Sequence, residues 1–413
     1  MLKQQYARWM YAWETALTTR DTNRVVRPVE WGFEWIADFA RAHGLMPAPA
    51  IEHDAAAAEI AMRALNRTII DHSDAFYGYR SPTDFRLEYR HPQLFPTNVR
   101  PKTLRQDARL RALAEAGRAK RAQFLRFTSP VATPFPENDL VNARWYPAPP
   151  EKQHGKPKQA MIVMPQWNAD AFSHNALCSL FNRFGISALR LSKPYHDIRR
   201  PAELERSDYA VSSNLGRTIA ACRQAVVDIR SCMDWLEQQG YEQFGILGTS
   251  LGSAYAFITT AHDPRLQVCA FNHASMSFGD VVWTGQSTRH IRAALEQAGL
   301  TQQQLNASWA AVSPSSYIRR FAEHPRKALV VHAAYDLTFL PEYSLEVPRN
   351  FAEYGVDYES KVLPCGHYTT GETPYKFIDG WYLGSFVYRA FKELASRPLA
   401  RSTSRQPGTL VAQ

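Results

Sequence analysis

A serine between two glycines occupies the segment GTSLG, residues 248–252. The apolar residues FGIL precede it and the helix-forming run SAYAFITTAH follows it, so the segment is predicted to join a buried strand to a helix. Such a sharp turn lifts its central side chain clear of the backbone, and glycines two residues to either side relieve the crowding. Because the helix directs its first N–H groups toward the space above Ser250, the turn suits a nucleophile that attacks a carbonyl. The same pattern would also serve a tight turn that uses serine only for its small size.

A serine nucleophile needs a base to accept its proton and a carboxylate to orient that base. Asp336 comes just after the apolar segment KALVVHAA, and His367 comes just after the segment DYESKVLP. Both segments are typical of strands, so both residues are predicted to lie in loops at strand ends. The carboxyl ends of parallel strands meet at one sheet edge, where Ser250, Asp336 and His367 would converge. Asp280, which follows the strand after the serine turn, is the second candidate for the acid.

Other histidines near predicted strands have different interpretations. His332 lies within the strand VVHAA and is predicted to be a core residue. His273 follows the segment VCAFN and is a candidate for the wall of a pocket. His196 and Asp197 follow the strand ISALRLS, where a capping role is favoured over contact with a substrate.

Strands alternate with helices from residue 123 to residue 396, which predicts an α/β domain with a mostly parallel sheet covered by helices. Residues 273–321 interrupt the alternation and are predicted to form a helical, cap-like insertion beside the C-terminal edge of the sheet. Residues 1–122 are predicted to be a helical and irregular N-terminal extension that packs on this core. Its proline-rich part, residues 79–103, is predicted to lack regular structure. Residues 397–413 are predicted to form a flexible tail.

The segment from about Phe124 to Leu394 resembles the α/β-hydrolase fold superfamily in three motifs. GTSLG resembles its nucleophile elbow, VVHAAYD the strand with the acid, and LPCGH the strand with the histidine. The resemblance implies that Ser250 is the nucleophile and that His367 is the general base and then the general acid. It implies that Asp336 orients His367, and it does not identify a subfamily.

The resemblance also implies an oxyanion hole made of two backbone N–H groups. Leu251, the residue after the nucleophile, would supply the first. The second donor of the superfamily follows an early strand, often within a His-Gly pair, but this chain has VMPQWNADAF there. Gln166 or Trp167 would therefore supply the second N–H. Trp167 is equally open to interpretation as a core aromatic residue.

The composition is that of a globular protein, with 45% hydrophobic and 21% charged residues among 413. It contains neither the run of roughly 20 apolar residues that a membrane helix needs nor the pattern of a signal peptide, which predicts a cytoplasmic protein without a membrane span. The five cysteines include no Cys-X-X-Cys pair, so they are predicted to be reduced and mostly buried rather than paired or zinc-bound.

The net charge of +9 has its excess between Arg86 and Arg126. An arginine-rich patch could bind nucleic acid, but apolar residues at helical spacing lie beside these arginines, and no nucleic-acid motif accompanies them. The solvated face of a helix is therefore the favoured interpretation, and no nucleic-acid partner is predicted.

These observations together predict a serine hydrolase that cleaves a carboxylic ester or a related acyl compound through an acyl-serine intermediate. The expected partner is a small-molecule acyl substrate, no metal or organic cofactor is expected, and the oligomeric state is left open. The same three residues would serve a thioester, amide or carbon–carbon bond hydrolase, and a non-catalytic binding protein of the same fold is a further alternative. Four aromatic residues would either cap an apolar acyl site or belong to the core: Phe278, Trp283, Trp309 and Tyr317.

Overall fold

The computed structural model describes residues 2–20, 23–92, 108–109, 112 and 121–396. Its strands are β1 (Arg86–Arg90), β2 (Ala122–Thr128), β3 (Leu140–Tyr146), β4 (Gln159–Met164), β5 (Ser187–Ser192), β6 (Gln243–Thr249), β7 (Leu266–Asn272), β8 (Lys327–Ala333) and β9 (Asp357–Leu363). In the described part of the chain these nine strands form one sheet in the order β1-β2-β3-β5-β4-β6-β7-β8-β9.

The sheet is parallel from β5 to β9, and β1, β2, β3 and β5 pair antiparallel at its other side. The central strands β4, β5 and β6 are almost completely buried, as expected for parallel strands covered on both faces. The prediction of a mostly parallel, helix-covered α/β sheet is therefore confirmed.

Helices cover both faces of this sheet. The longer ones are α1 (Leu2–Thr18), α3 (Ala55–Asp71), α7 (Asn175–Arg183), α8 (Leu215–Gln238), α9 (Leu251–His262), α11 (Arg289–Gln297), α15 (Glu346–Glu353) and α16 (Tyr375–Ser396). The shorter ones are α2 (Ala37–Ala42), α4 (Ser73–Phe76), α5 (Pro136–Asp139), α6 (Pro150–Gln153), α10 (Phe278–Thr284), α12 (Gln302–Ser308), α13 (Ile318–Ala322) and α14 (Pro341–Ser344).

The core is divided between the two faces because successive side chains of a strand point in opposite directions. Ile162 and Ile246 belong to the cluster that includes the apolar residues of α8. Met161 and Leu247, each one residue away, belong to the cluster that includes Phe391 and its neighbours on α16. Alternate side chains of β4 and β6 therefore pack against a different helical layer on each face of the sheet.

The N-terminal region is helical in α1 and α3, and Asp54 caps α3 by accepting hydrogen bonds from two backbone N–H groups. The expectation that residues 79–103 lack regular structure is wrong for β1, which pairs with β2 at the sheet edge. The strand is possible because Pro82 and Pro92 lie outside it, so every residue of β1 keeps its N–H. The division into extension, core and insertion stays a prediction.

Two other predicted segments lie outside the described residues. They are most of the arginine-rich stretch before β2 and the C-terminal tail, residues 397–413. All five cysteines are free and buried, as the sequence predicts.

The aromatic residues named within residues 273–321, the predicted insertion, are mainly core residues. Phe278 and Trp309 are buried against each other, and Tyr317 is buried with its hydroxyl donating to the Ala311 carbonyl. Trp283 is half-buried beneath the Arg292 guanidinium.

Candidate active site

The serine turn joins β6 directly to α9, and Ser250 has φ 56° and ψ −123°, a strained conformation for a residue with a side chain. A Cβ atom on Gly248 would lie 2.6 Å from the Gly252 carbonyl carbon. A Cβ atom on Gly252 would lie 2.7 Å from the Pro165 carbonyl oxygen. Both positions therefore require glycine for steric reasons, and α9 begins against the end of β4.

Ser250, His367 and Asp336 form a hydrogen-bonded chain across three loops at the C-terminal edge of the sheet. The Ser250 Oγ and His367 Nε2 atoms are 3.0 Å apart, and His367 Nδ1 lies 2.9 Å from Asp336 Oδ2. A carboxylate can only accept, so the proton on His367 belongs on Nδ1. Nε2 is then free to accept from the Ser250 hydroxyl. This geometry suits proton transfer from the serine to the imidazole.

Asp336 is held by the backbone of its own loop. Its Oδ1 atom accepts from the N–H groups of Thr338 and Phe339, each at 2.7 Å. Burial raises the pKa of this carboxyl, but the charge on His367 and the hydrogen bonds from His273 and His367 lower it further than burial raises it. The net pKa lies below the usual range of aspartate, so Asp336 is ionised at neutral pH.

The same environment raises the pKa of the His367 imidazole, whereas it lowers that of Asp336. Burial lowers the pKa of His367, but the Asp336 carboxylate beside it raises the pKa by more, so the net pKa lies above the ordinary value of 6.5. The pair is thus poised for His367 to hold the serine proton as an imidazolium.

His273 is a second histidine on the same carboxylate. Its Nδ1 lies 3.2 Å from Asp336 Oδ2, its ring centre is 4.6 Å from that of His367, and the residue is buried. Its φ of 53° lies in the left-handed region, and its N–H donates to the Val331 carbonyl at 2.8 Å. The sequence predicted that His273 lines a pocket, because it follows a predicted strand directly.

The ligand atoms of His273, Asp336 and His367 lie within 4.8 Å of one another and could contact a single metal ion. Two hydrogen bonds to Asp336 Oδ2 already account for this grouping.

The loop after β4 carries the two residues that the sequence offered as second oxyanion donors. Gln166 follows Pro165, whose carbonyl lies against Gly252, so the loop borders the serine turn. The Trp167 indole N–H donates to the Ser207 carbonyl, and its half-buried ring is stacked on His290 of the insertion. Leu251 is buried at the first position of α9. The roles of Leu251, Gln166 and Trp167 as donors stay predictions.

Two polar residues near this loop were not found by sequence reasoning. Lys193 is buried and donates from Nζ to the Gln166 carbonyl at 2.8 Å, and burial lowers its pKa well below the usual value. His174 Nε2 lies 2.9 Å from Thr249 Oγ1 in the serine turn, and burial lowers the pKa of His174 to about 3. Neither Lys193 nor His174 lies in a sequence motif, so only the three-dimensional structure shows that they lie near this loop.

The remaining candidate residues are buried or make hydrogen bonds and ion pairs that stabilise the fold. Asp280 accepts from the side-chain amides of Gln302 and Asn306 within the insertion. Asp197 pairs with Arg190 at 3.1 Å, and His332 is buried within β8. His196 is also buried, and its Nδ1 lies 2.7 Å from the Pro194 carbonyl oxygen.

The sheet order, the strained serine turn after β6 and the loops after β8 and β9 define an α/β-hydrolase fold. The family model for Alpha/beta hydrolase domain containing 18 matches residues 103–319, which is more than half of the chain. The chain belongs to this family. The match includes Ser250 and ends before Asp336 and His367.

A solved esterase structure has the same fold. Acetyl xylan esterase 1 from Thermoanaerobacterium sp. JW/SL YS485 superposes with a TM-score of 0.53 at 12% identity, covering 77% of this chain and 93% of the esterase. A highly thermostable carboxyl esterase from Bacillus coagulans has a TM-score of 0.44 at 13% identity, covering 65% of this chain and 98% of its own. No curated protein matches the sequence.

The family and the fold support hydrolase activity. Among the helices that the structure describes, none combines the length and the apolar character needed to cross a bilayer.

Proposed function

We propose that this protein is a serine hydrolase that cleaves a carboxylic ester or a related acyl compound. The observation that carries the proposal is the hydrogen-bonded chain from Ser250 through His367 to Asp336. The strained turn presents the serine at the start of α9, where backbone N–H groups can stabilise an oxyanion.

In the first half of the reaction, Ser250 Oγ attacks the substrate carbonyl carbon while His367 Nε2 accepts the hydroxyl proton. The carbonyl oxygen gains negative charge and is stabilised by the Leu251 N–H and by an N–H from Gln166 or Trp167. The bond to the alcohol then breaks, and His367 donates its proton to the leaving oxygen.

In the second half, His367 removes a proton from water, which attacks the acyl-serine. The tetrahedral intermediate collapses to the carboxylic acid, and the proton returns from His367 to Ser250 Oγ. Asp336 remains ionised throughout and stabilises the imidazolium form of His367.

The proposal is tested with the Ser250→Ala variant and short- and medium-chain nitrophenyl esters. Wild-type protein should release nitrophenol, and the variant should lose at least about 10³-fold in kcat while keeping its thermal unfolding temperature. Ser179→Ala, which changes an exposed serine on α7, is the matched control and should retain full activity. Equal turnover by wild type and Ser250→Ala would refute the proposed nucleophile.

A further inference from the structure

The N-terminal helix α1 places a buried carboxylate against the loop that holds His367. Glu14 is fully buried, and its Oε1 accepts from the Tyr368 N–H at 2.8 Å. Its Oε2 accepts from the Thr369 N–H at 3.0 Å and lies 3.1 Å from the Thr369 hydroxyl. Three donors of one short segment therefore converge on a single side chain that the mechanism above does not use.

Glu14 contacts the loop on both sides of the histidine. Tyr368 and Thr369 follow His367 directly, and a Cβ atom on Gly366, the residue before it, would lie 2.7 Å from Glu14 Cγ. Hydrogen bonds to an ionised acceptor are stronger than neutral ones, so the carboxylate fixes the backbone that carries the imidazole.

The helix itself is attached near both of its ends. The Tyr6 hydroxyl donates to the Pro364 carbonyl just before the histidine loop and lies 2.7 Å from the Tyr375 hydroxyl at the start of α16. Near the C-terminus of α1, the buried Thr18 hydroxyl donates to the Gln286 side chain in the insertion. These contacts leave Glu14 little freedom to move away from the loop.

The charged and titratable groups around His367 come from several elements. Asp336 follows β8, His273 follows β7, Cys365 belongs to the loop after β9, and His332 lies within β8. Burial raises the pKa of Glu14, while the N–H donors of the loop lower it, and the net pKa lies above the ordinary value. When ionised, Glu14 adds to the effect of Asp336 and raises the pKa of His367.

We propose that Glu14 is a positioning residue that holds the His367 loop in the geometry required for proton transfer from Ser250. The N-terminal helix thereby completes the active site rather than only covering the sheet. This inference rests on the proposed serine hydrolase function.

The test measures the rate constant for fluorophosphonate labelling as a function of pH in wild type, Glu14→Gln, Glu14→Asp and Thr19→Val. In Glu14→Gln, the side-chain NH₂ group replaces one acceptor oxygen and cannot accept from the N–H groups of the loop. The loop should therefore shift, and the plateau rate should fall about 10- to 100-fold, which is the effect of displacing reacting groups by about 1 Å. The loss of the negative charge should also move the low-pH midpoint of labelling to lower pH.

Two variants separate positioning from general packing. Thr19→Val loses the hydrogen bond from the Thr19 hydroxyl to the Thr15 carbonyl at the end of α1 and contacts neither Glu14 nor the histidine loop, so it should keep both the wild-type plateau and the wild-type midpoint. Glu14→Asp keeps the charge but is too short to reach all three donors, so its plateau should fall while its midpoint stays unchanged. If Glu14→Gln does not fold, the Glu14→Asp result decides the question.

The inference is overturned if Glu14→Gln and Glu14→Asp label at the wild-type rate, or if Thr19→Val loses as much as they do. Failure of wild-type protein to label would instead refute the serine hydrolase function itself.

Discussion

At the scale of single residues, Asp336 is the centre of the site. It accepts hydrogen bonds from His367, His273, Thr338 and Phe339, and every one of them favours its ionised form. The carboxylate in turn raises the pKa of His367.

The pH dependence expected for the proposed ester cleavage follows from this pair. His367 accepts a proton only when neutral, so kcat/KM should fall as the pH drops through its raised pKa, which lies above the ordinary 6.5. Asp336→Asn removes the charge that raises this pKa, so the low-pH midpoint should move to lower pH while kcat falls about 10⁴-fold. A pH profile of both proteins checks this, and an unchanged midpoint would show that Asp336 does not act on the base.

His273 is expected to position Asp336 through its Nδ1–H. His273→Ala should lower kcat/KM about tenfold or more, because a hydrogen bond to a charged group contributes about 1.5–3 kcal/mol. The freed carboxylate should interact more strongly with His367 and move the low-pH midpoint upward. His273→Asn offers an amide N–H and tolerates the positive φ, so it should restore most of the rate. Activity that is equal in all three proteins would assign His273 to packing alone.

At the scale of elements, the site depends on how closely α9 approaches the end of β4. Gly252→Ala would bring a methyl group within 2.7 Å of the Pro165 carbonyl oxygen, so the helix start must move. Because Leu251 is the first residue of that helix, kcat should fall by about 10²-fold, the size of losing one oxyanion donor. Gly380→Ala on α16, where a Cβ atom meets no atom within 4 Å, is the control and should retain wild-type kcat. Normal kcat in Gly252→Ala would contradict the proposed oxyanion hole.

The sequence predicted these elements well where local patterns determine them. The segments KALVVHAA and DYESKVLP predicted β8 and β9, and glycines around Ser250 predicted the strand-to-helix turn. The sequence reasoning missed β1. It gave more weight to the prolines on either side of this edge strand than to the five residues of β1, which are free of proline and pair with β2. Strand pairing of this kind is decided by the partner strand, which no local pattern reports.

At the scale of the whole molecule, the sequence predicted the α/β fold and the residue types that the structure brings together at the sheet edge. It could not predict Glu14, which is far from the histidine loop along the chain and belongs to no motif. Lys193 was likewise hidden, since contacts between distant segments follow from the packing of the complete fold. His273 was predicted as a pocket-wall residue, but its hydrogen bond to Asp336 was not predicted. The N-terminal helix contributes to the site only because the folded chain returns it to the loop after β9.

The most direct test of the central claim is to locate the covalent adduct after fluorophosphonate treatment of the intact protein. Peptide mapping by mass spectrometry should find one adduct per chain, on the peptide that carries Ser250, and none in the Ser250→Ala variant. An adduct on another residue, or folded wild-type protein that stays unmodified, would contradict the assignment of Ser250 as the nucleophile.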